Sequence, residues 1–135
     1  MGYVGLPLAI EFAKNNSVIG FDLSLSRIES LKSGIDSTLE VNKSDLTNSS
    51  NLFLTSNPKD ISEATIFIVT VPTPIDDHNQ PNMEPLKSAS VLIGELLKKG
   101  DLVIFESTVY PGATEEVCVP LLESVSGLKF NSDFF

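Results

Sequence analysis

The chain has 135 residues, enough for one domain with a sizeable core, and its 41% hydrophobic and 20% charged content is ordinary for a soluble globular protein. Its net charge of −9 argues against nucleic acid and anionic membrane surfaces as partners, because both require basic patches. The single cysteine, Cys118, rules out an intrachain disulfide framework and fits a reducing cytoplasm. No apolar run approaches a membrane span, and no basic signal-peptide segment follows Met1.

Apolar spacing and turn residues predict alternating helices and strands. The first half is predicted as a helix over 6–14, a strand over 17–21, a helix from Ser24 or Ser26 to Gly34, a weak helix over 43–46 in a polar loop, and a strand over 51–55. A turn at Asn57-Pro58 and a helical turn over 60–64 precede the strongest strand, 65–71. Its apolar run is typical of a strand buried on both faces.

The second half continues the alternation. It is predicted as a helix over 85–99, a strand over 102–106, a helix over 113–123 interrupted near Pro120, and a short last strand over 128–130. Strands that alternate with helices form a parallel sheet, so the sequence predicts an α/β fold. Ligands of such folds bind at the carboxyl ends of the strands.

Gly2 and Gly5 frame a turn at the start of the first predicted helix. Their spacing matches the last two glycines of a G-x-G-x-x-G dinucleotide turn, whose first glycine would lie two residues before Gly2. Alone, this spacing also fits an ordinary loop-to-helix turn. Asp22, however, ends an apolar run 17 residues after Gly5, near the expected position of the acid that binds a ribose 2′-hydroxyl. Together these features predict dinucleotide binding, and the acid favours NAD over NADP because it repels a 2′-phosphate.

Three further residues are candidates with two interpretations each. Arg27, five residues after Asp22, either stacks on or pairs with the adenosine end of a cofactor, or is a solvated helix residue. Thr73, in V-P-T-P, and Thr108, in E-S-T-V-Y-P-G, follow successive predicted strands. Their hydroxyls either face a ligand at the carboxyl edge of the sheet or cap plain turns.

Other reactive residues are assigned no chemistry. Cys118 lies in a helical apolar pattern, so we expect a buried small residue and not a nucleophile. Asp76, Asp77 and His78 are residue types that bind metal ions. Consecutive positions in a polar loop seldom do so, however, and we expect no metal site here. The pair Glu115-Glu116 is predicted to be a solvated first helical turn.

Five segments in this order closely resemble the UDP-glucose/GDP-mannose dehydrogenase family, the nucleotide-sugar 6-dehydrogenases. They are G-Y-V-G-L-P-L-A, V-I-G-F-D, R-I-E-x-L, V-P-T-P and E-S-T-V-Y-P-G-A-T-E-E. The last segment and the ending G-L-K-F-N-x-D-F-F are most similar to the branch acting on UDP-N-acetylhexosamines in bacterial polysaccharide synthesis. The resemblance implies an NAD-dependent, two-step oxidation of a sugar C6 alcohol to a carboxylate through a cysteine thioester, consuming two NAD⁺.

The resemblance also implies residue roles. At the pyrophosphate it places Gly2, Tyr3, Val4 and Gly5; at the adenosine ribose it places Asp22, with Arg27 nearby. Thr73 and Thr108 would line the nicotinamide side, and Thr108 would also help to place the hydrolytic water. Cys118 does not match the family's nucleophile.

Relative to this family, we expect residues 1–135 to be a single NAD-binding domain truncated at both ends. The expected fold is a Rossmann-like parallel sheet with flanking helices and its first, central strand missing. Its second and fourth strands would lack their shared neighbour, so we expect poor stability or a gap filled by another segment. The catalytic cysteine and the sugar-binding domain would lie outside the chain, which we expect to be inactive alone.

The parent protein is expected to bind its UDP-sugar through the missing domain. It would be a cytoplasmic homo-oligomer without nucleic-acid or membrane partners. Two alternatives stay open: the NAD-binding domain of a hydroxyacid or 6-phosphogluconate-type dehydrogenase, and a non-catalytic remnant. The hydroxyacid and 6-phosphogluconate types are not expected to combine V-P-T-P with S-T-V-x-P-G.

Overall fold

The computed structural model describes residues 1–74 and 81–135, in which helices and parallel strands alternate. The helices are α1 (Gly5–Ala13), α2 (Leu25–Lys32), α3 (Lys43–Asn48), α4 (Glu84–Gly94) and α5 (Val119–Ser126). The strands are β1 (Val18–Phe21), β2 (Leu52–Thr55), β3 (Ile66–Val69) and β4 (Leu102–Phe105). There is also a 3₁₀ helix at Pro58–Ile61 and a π-helical turn at Thr114–Cys118. The predicted α/β class is confirmed.

The chain divides into two compact units, Met1–Glu63 and Ala64–Phe135. Within the described residues, each unit contains one two-stranded parallel sheet. In the first unit β1 pairs with β2, and in the second β3 pairs with β4. Because paired parallel strands end at the same edge, the residues that follow β1 and β2 share one edge, and those that follow β3 and β4 share another.

The core of the first unit forms where α1 and α2 cover its sheet. It consists of four buried side chains, Leu6, Ile28, Leu31 and Leu54. Gly20 in β1 permits this packing, since a Cβ there would lie 2.8 Å from Leu54 Cδ2 and 2.9 Å from Met1 Cε. Because glycine has no side chain, Leu54 and Met1 can pack directly against the strand at this position.

The core of the second unit forms between α4 and α5, with α4 also packed on β3. Leu86, Ile93 and Leu122 are buried there. The two helices approach closely at Gly94, where a Cβ would lie 2.9 Å from the Cβ of Val125. Side-chain size at this one position thus limits the helix separation.

The predicted burial of β3 on both faces is wrong for this chain. Phe67 and Val69 are buried, but Ile66 is 57% exposed. The strand therefore has one covered face and one more exposed face, although its apolar run is continuous.

Pro120 interrupts the last helical segment as predicted, but the helix continues to Ser126. The π-helical turn lies directly before α5, and Pro120 occupies the first turn of α5, where its missing N–H is not needed. The helix ends at Gly127, whose φ of 71° is left-handed.

The largest remaining differences from the prediction concern one helix and one strand. The helix predicted over 85–99 ends at Gly94. Beyond it the Leu96 N–H donates only three residues back, to the Ile93 carbonyl at 2.9 Å, and the Lys98 N–H donates to the Asp101 carboxylate at 2.8 Å. The strand predicted over 128–130 is wrong. The N–H groups of Ser132 and Asp133 donate to the Lys129 carbonyl and close a turn, and Phe135 instead pairs with the edge of β4.

Candidate cofactor site

The glycine turn leads directly into α1. Gly5 is the first residue of the helix and is buried, and the Leu6 N–H donates to the Gly2 carbonyl at 3.2 Å. No side chain in the described part of the chain caps α1, and its first turn holds no acidic residue. A Cβ on Gly2 would meet no heavy atom of the described residues within 4 Å. The helix terminus thus offers N–H groups and positive potential to an anion, and the backbone at Gly2 is open to close approach.

Asp22 lies at the carboxyl end of β1. Its N–H donates to the Thr55 carbonyl at 3.2 Å, which extends the pairing of β1 and β2 by one residue. Its Oδ1 accepts the Ser24 N–H at 2.9 Å, and its Oδ2 lies 2.6 Å from the Met1 nitrogen. Ser24, not Asp22, caps α2, because the Ser24 hydroxyl accepts the Arg27 N–H. The carboxylate therefore stands beside the residue that precedes Gly2.

Arg27 is not a solvated helix residue, because its side chain is only 12% exposed. Its Nε donates to the Met1 carbonyl at 2.8 Å, and its two terminal nitrogens donate to Ser37 Oγ at 3.0 Å and Asp36 Oδ1 at 2.7 Å. Met1 thus contacts both Asp22 and Arg27. The structure brings together the glycine turn, the acid and the arginine, all in the first unit.

Asp36, which no sequence motif marked as functional, is the buried partner of Arg27. Its side chain is 1% exposed. Besides Arg27, its Oδ1 accepts the Thr38 N–H and hydroxyl, and its Oδ2 accepts the N–H groups of Glu40 and Val41 at 3.0 Å each. Burial by itself raises the pKa of this carboxyl, but the hydrogen bonds from Thr38, Arg27 and Val41 outweigh it and hold the pKa well below its usual value. The carboxylate is therefore charged at neutral pH.

A signal for this arrangement does exist in the sequence. Asp36-Ser37-Thr38 directly follows Gly34-Ile35, at the end of a helix, where an aspartate often accepts backbone N–H groups two or more residues ahead. The signal identifies a turn, but it does not identify Arg27 as the partner of the carboxylate.

Thr73 and Thr108 meet at the carboxyl edge of the sheet in the second unit. The Thr73 hydroxyl donates to the Thr108 carbonyl at 2.7 Å, and the Ser107 hydroxyl donates to the Val71 carbonyl at 2.6 Å. These two bonds cross-link the segments that follow β3 and β4. The two predicted threonines are therefore neighbours, and contact with a cofactor stays a prediction for both.

The burial of Cys118 and the exposure of the Glu115-Glu116 pair agree with the sequence-based expectations. Cys118 is fully buried, as predicted, and burial raises the pKa of its thiol, with a smaller lowering by the Ser90 hydrogen bond and a smaller increase from Glu115. Glu115 and Glu116 are exposed, as predicted.

The metal-ligand types at Asp76, Asp77 and His78 lie outside the described residues. Within 1–74 and 81–135, no group of three or more His, Cys, Asp or Glu side chains is placed to hold a metal ion. No helix in these ranges is long and apolar enough to cross a membrane.

A glycine turn at the start of a helix, an acid after the next strand and parallel strands define a Rossmann-type dinucleotide-binding fold. The chain belongs to the UDP-glucose/GDP-mannose dehydrogenase family, whose NAD binding domain matches residues 1–135. The family predicted from the motifs is therefore confirmed, as is NAD as its cofactor. The alternative of a hydroxyacid or 6-phosphogluconate-type dehydrogenase is not favoured.

Individual relatives match the whole chain. The UDP-N-acetyl-D-glucosamine 6-dehydrogenase of Pseudomonas aeruginosa is 61% identical over 135 residues, which are 100% of this chain and 32% of that protein. The Salmonella typhi protein of the same name is 50% identical, with the same coverage. A solved UDP-D-ManNAc dehydrogenase from Pyrococcus horikoshii has a TM-score of 0.92 at 34% identity, covering 98% of this chain and 32% of that one. The chain spans about a third of the length of these relatives.

Proposed function

We propose that the protein carrying this chain is an NAD-dependent nucleotide-sugar 6-dehydrogenase and that residues 1–135 supply its NAD-binding part. The proposed substrate is a UDP-N-acetylhexosamine, since the 61% and 50% identical relatives are both named UDP-N-acetyl-D-glucosamine 6-dehydrogenases. The C6 alcohol, one water and two NAD⁺ would give the carboxylate, two NADH and three protons. When bound, NAD⁺ supplies the hydride acceptor for each oxidation.

The first unit contains the observation that carries this proposal. The backbone at Gly2 is open and leads into α1, whose uncapped N-terminus suits a pyrophosphate, while Asp22 stands next to the same turn. We assign the pyrophosphate to residues 2–5, through the backbone of Gly2, Tyr3, Val4 and Gly5. Asp22 then binds the adenosine ribose hydroxyls and orients that end of the cofactor.

For the second unit we propose that Thr73 and Thr108 contact the nicotinamide side. Their mutual hydrogen bond fixes the separation of the two segments that carry them. Thr108 is also proposed to position water for the hydrolytic step. We further propose that the protein is a homo-oligomer and that it is cytoplasmic. The single, fully buried cysteine of this chain is in keeping with the cytoplasmic location.

The test is dinucleotide binding and sugar oxidation by the protein that carries this chain. We expect micromolar NAD⁺ affinity by calorimetry, and two NADH formed per UDP-N-acetylglucosamine or UDP-N-acetylmannosamine consumed, with UDP-glucose as the comparison sugar. Absence of NAD⁺ binding contradicts the proposal. NAD⁺ binding without oxidation of any of the three sugars contradicts the assigned substrate class.

Gly2→Ala tests the pyrophosphate assignment. Since a methyl group at Gly2 meets no described atom, the variant should unfold like the wild type. The same methyl group would obstruct a pyrophosphate, so NAD⁺ affinity should fall roughly tenfold or more. Gly94→Ala is the matched control, because it makes the same change at the α4–α5 contact and should leave the affinity of the folded protein unchanged.

A further inference from the structure

The ion pair between Arg27 and Asp36 is almost completely shielded from solvent. The Arg27 and Asp36 side chains are 12% and 1% exposed, and Arg27 Nη2 lies 2.7 Å from Asp36 Oδ1. Both oxygens of the carboxylate are also held by N–H groups of the loop that follows. The negative charge is thus fixed against the guanidinium and has little freedom to move away from it.

Arg27 lies near Asp22, the acid assigned to the adenosine ribose. Met1 joins it to the ribose acid, since the Met1 nitrogen is 2.6 Å from Asp22 Oδ2 and the Met1 carbonyl oxygen is 2.8 Å from Arg27 Nε. In Rossmann folds an acid at this strand end selects NAD, whereas a nearby arginine accommodates the additional phosphate of NADP. This chain has both residue types close together. The acid favours NAD, whereas the arginine by itself favours NADP.

The ion pair with Asp36 determines which of these two effects prevails. It neutralises the Arg27 guanidinium and directs its donors toward the Asp36 loop (residues 36–41), while Nε remains on the Met1 carbonyl. With its charge cancelled by Asp36, Arg27 offers no free positive charge to a 2′-phosphate beside Asp22. We propose that Asp36 is a specificity-determining residue that makes the site select NAD over NADP by keeping Arg27 from a 2′-phosphate. This inference rests on the proposed NAD-binding function and deepens it.

The test compares NAD⁺ and NADP⁺ affinities by calorimetry in the protein that carries this chain. Asp36→Asn keeps the side-chain shape but removes the charge, so the ratio of the NADP⁺ Kd to the NAD⁺ Kd should fall about tenfold. ADP-ribose and its 2′-phosphate should show the same change, because the effect lies at the adenosine end. If Asp36→Asn does not fold, Asp36→Ser replaces it with the same expectation.

Two controls separate charge from structural damage. Asp36→Glu disturbs the packing but keeps the carboxylate, so it should retain the wild-type ratio. The double variant Arg27→Gln/Asp36→Asn removes both charges, so the tenfold fall seen with Asp36→Asn alone should disappear.

Three results overturn the inference: an unchanged ratio in Asp36→Asn, an equal shift in Asp36→Glu, or a shift that persists without the Arg27 charge. If the wild type binds neither dinucleotide, the proposed function fails as well. If the wild type binds NAD⁺ and any of the three results above is found, the inference about Asp36 fails but the proposed function stands.

Discussion

The Thr73 hydroxyl donates a 2.7 Å hydrogen bond to the main-chain carbonyl of Thr108, which lies 35 residues later in the chain. The neighbouring Ser107 hydroxyl reaches the Val71 carbonyl in the opposite direction. Two hydroxyls thus replace backbone pairing at the point where β3 and β4 have ended. Pro72 and Pro74 have no N–H to donate, and the Thr73 and Ser107 hydroxyls supply donors that tie these segments together.

Thr73→Val should lower the free energy of unfolding by about 0.5–1.5 kcal/mol, because it removes the hydroxyl donor and keeps the branched shape. Thr73→Ser keeps the donor and should stay closer to the wild type. Urea unfolding of both variants measures the difference. Equal stability of the valine and serine variants would show that the hydrogen bond contributes nothing.

Gly94→Ala should destabilise the protein by roughly 1–3 kcal/mol, although alanine is the better helix former. The added methyl group would lie 2.9 Å from Val125 Cβ and 3.5 Å from the Leu122 carbonyl oxygen, so α4 and α5 must separate. Thermal or urea unfolding checks this. Gly94→Ala should cost less in a Val125→Gly background, which lacks both the Cβ at 2.9 Å and the Cγ1 at 3.1 Å, and an equal cost in both backgrounds would argue against the close helix contact.

Asp36 should make stability depend on pH in the acid range. Its folded-state pKa is lowered from 3.8, so its stabilising contribution is present above that value and is lost as the pH falls through the folded-state value. The wild type should therefore lose stability below about pH 5 more steeply than Asp36→Asn. Asp133, whose pKa is lowered by the Lys99 hydrogen bond and the Lys129 N–H, acts in the same direction in both proteins.

The measurement is the urea midpoint of the two proteins between neutral pH and pH 2. The difference between the two midpoints should be constant at neutral pH and should narrow below about pH 5. A gap that stays constant down to pH 2 would mean that Asp36 has an ordinary pKa in the folded protein.

Leu39→Asn should raise the free energy of unfolding by about 0.5–1 kcal/mol, because asparagine tolerates the left-handed region better than leucine. Leu39 has φ 60° and is 89% exposed, so little apolar burial is lost. Leu23→Asn is the matched control: Leu23 is 75% exposed and does not have positive φ, so no gain is expected there. Urea unfolding of both variants measures the two changes. A similar gain in both would mean that replacing an exposed leucine with a polar side chain is sufficient, whatever the backbone φ.

The Cys118 thiol should resist alkylation in the native protein. It is fully buried and its pKa is raised by that burial, so both access and thiolate population are low. Its peptide, followed by mass spectrometry, should be labelled by iodoacetamide at least about a hundredfold faster in urea than in buffer. Rapid native labelling would contradict the burial of this thiol.

Local sequence patterns predicted much of the fold. The spacing of Gly2 and Gly5 before a helix, and Asp22 after the next strand, predicted both the turn and the acid beside it. The apolar helical pattern around Cys118 likewise predicted its burial. These predictions held because backbone periodicity, turn preference and burial depend mainly on residues within a few positions of each other.

Contacts between residues that are separated by loops could be identified only from the tertiary structure. The sequence left Arg27 with two interpretations, and Asp36, nine residues later, had no assigned role until the loop fold placed its carboxylate on the guanidinium. Similarly, the apolar residues over 128–130 fit a strand, but the hydrogen bonds to the Lys129 carbonyl formed a turn instead.

The sequence by itself determined the family, the order of helices and strands, and the candidate NAD-binding turn, since these follow from local spacing and short motifs. Only the tertiary structure decided that Asp36 neutralises Arg27 beside Asp22, and that Thr73 binds Thr108. The physical reason is that a charge or a hydroxyl interacts with whichever group the folded chain brings within about 3 Å, and that choice depends on the path of the intervening loops.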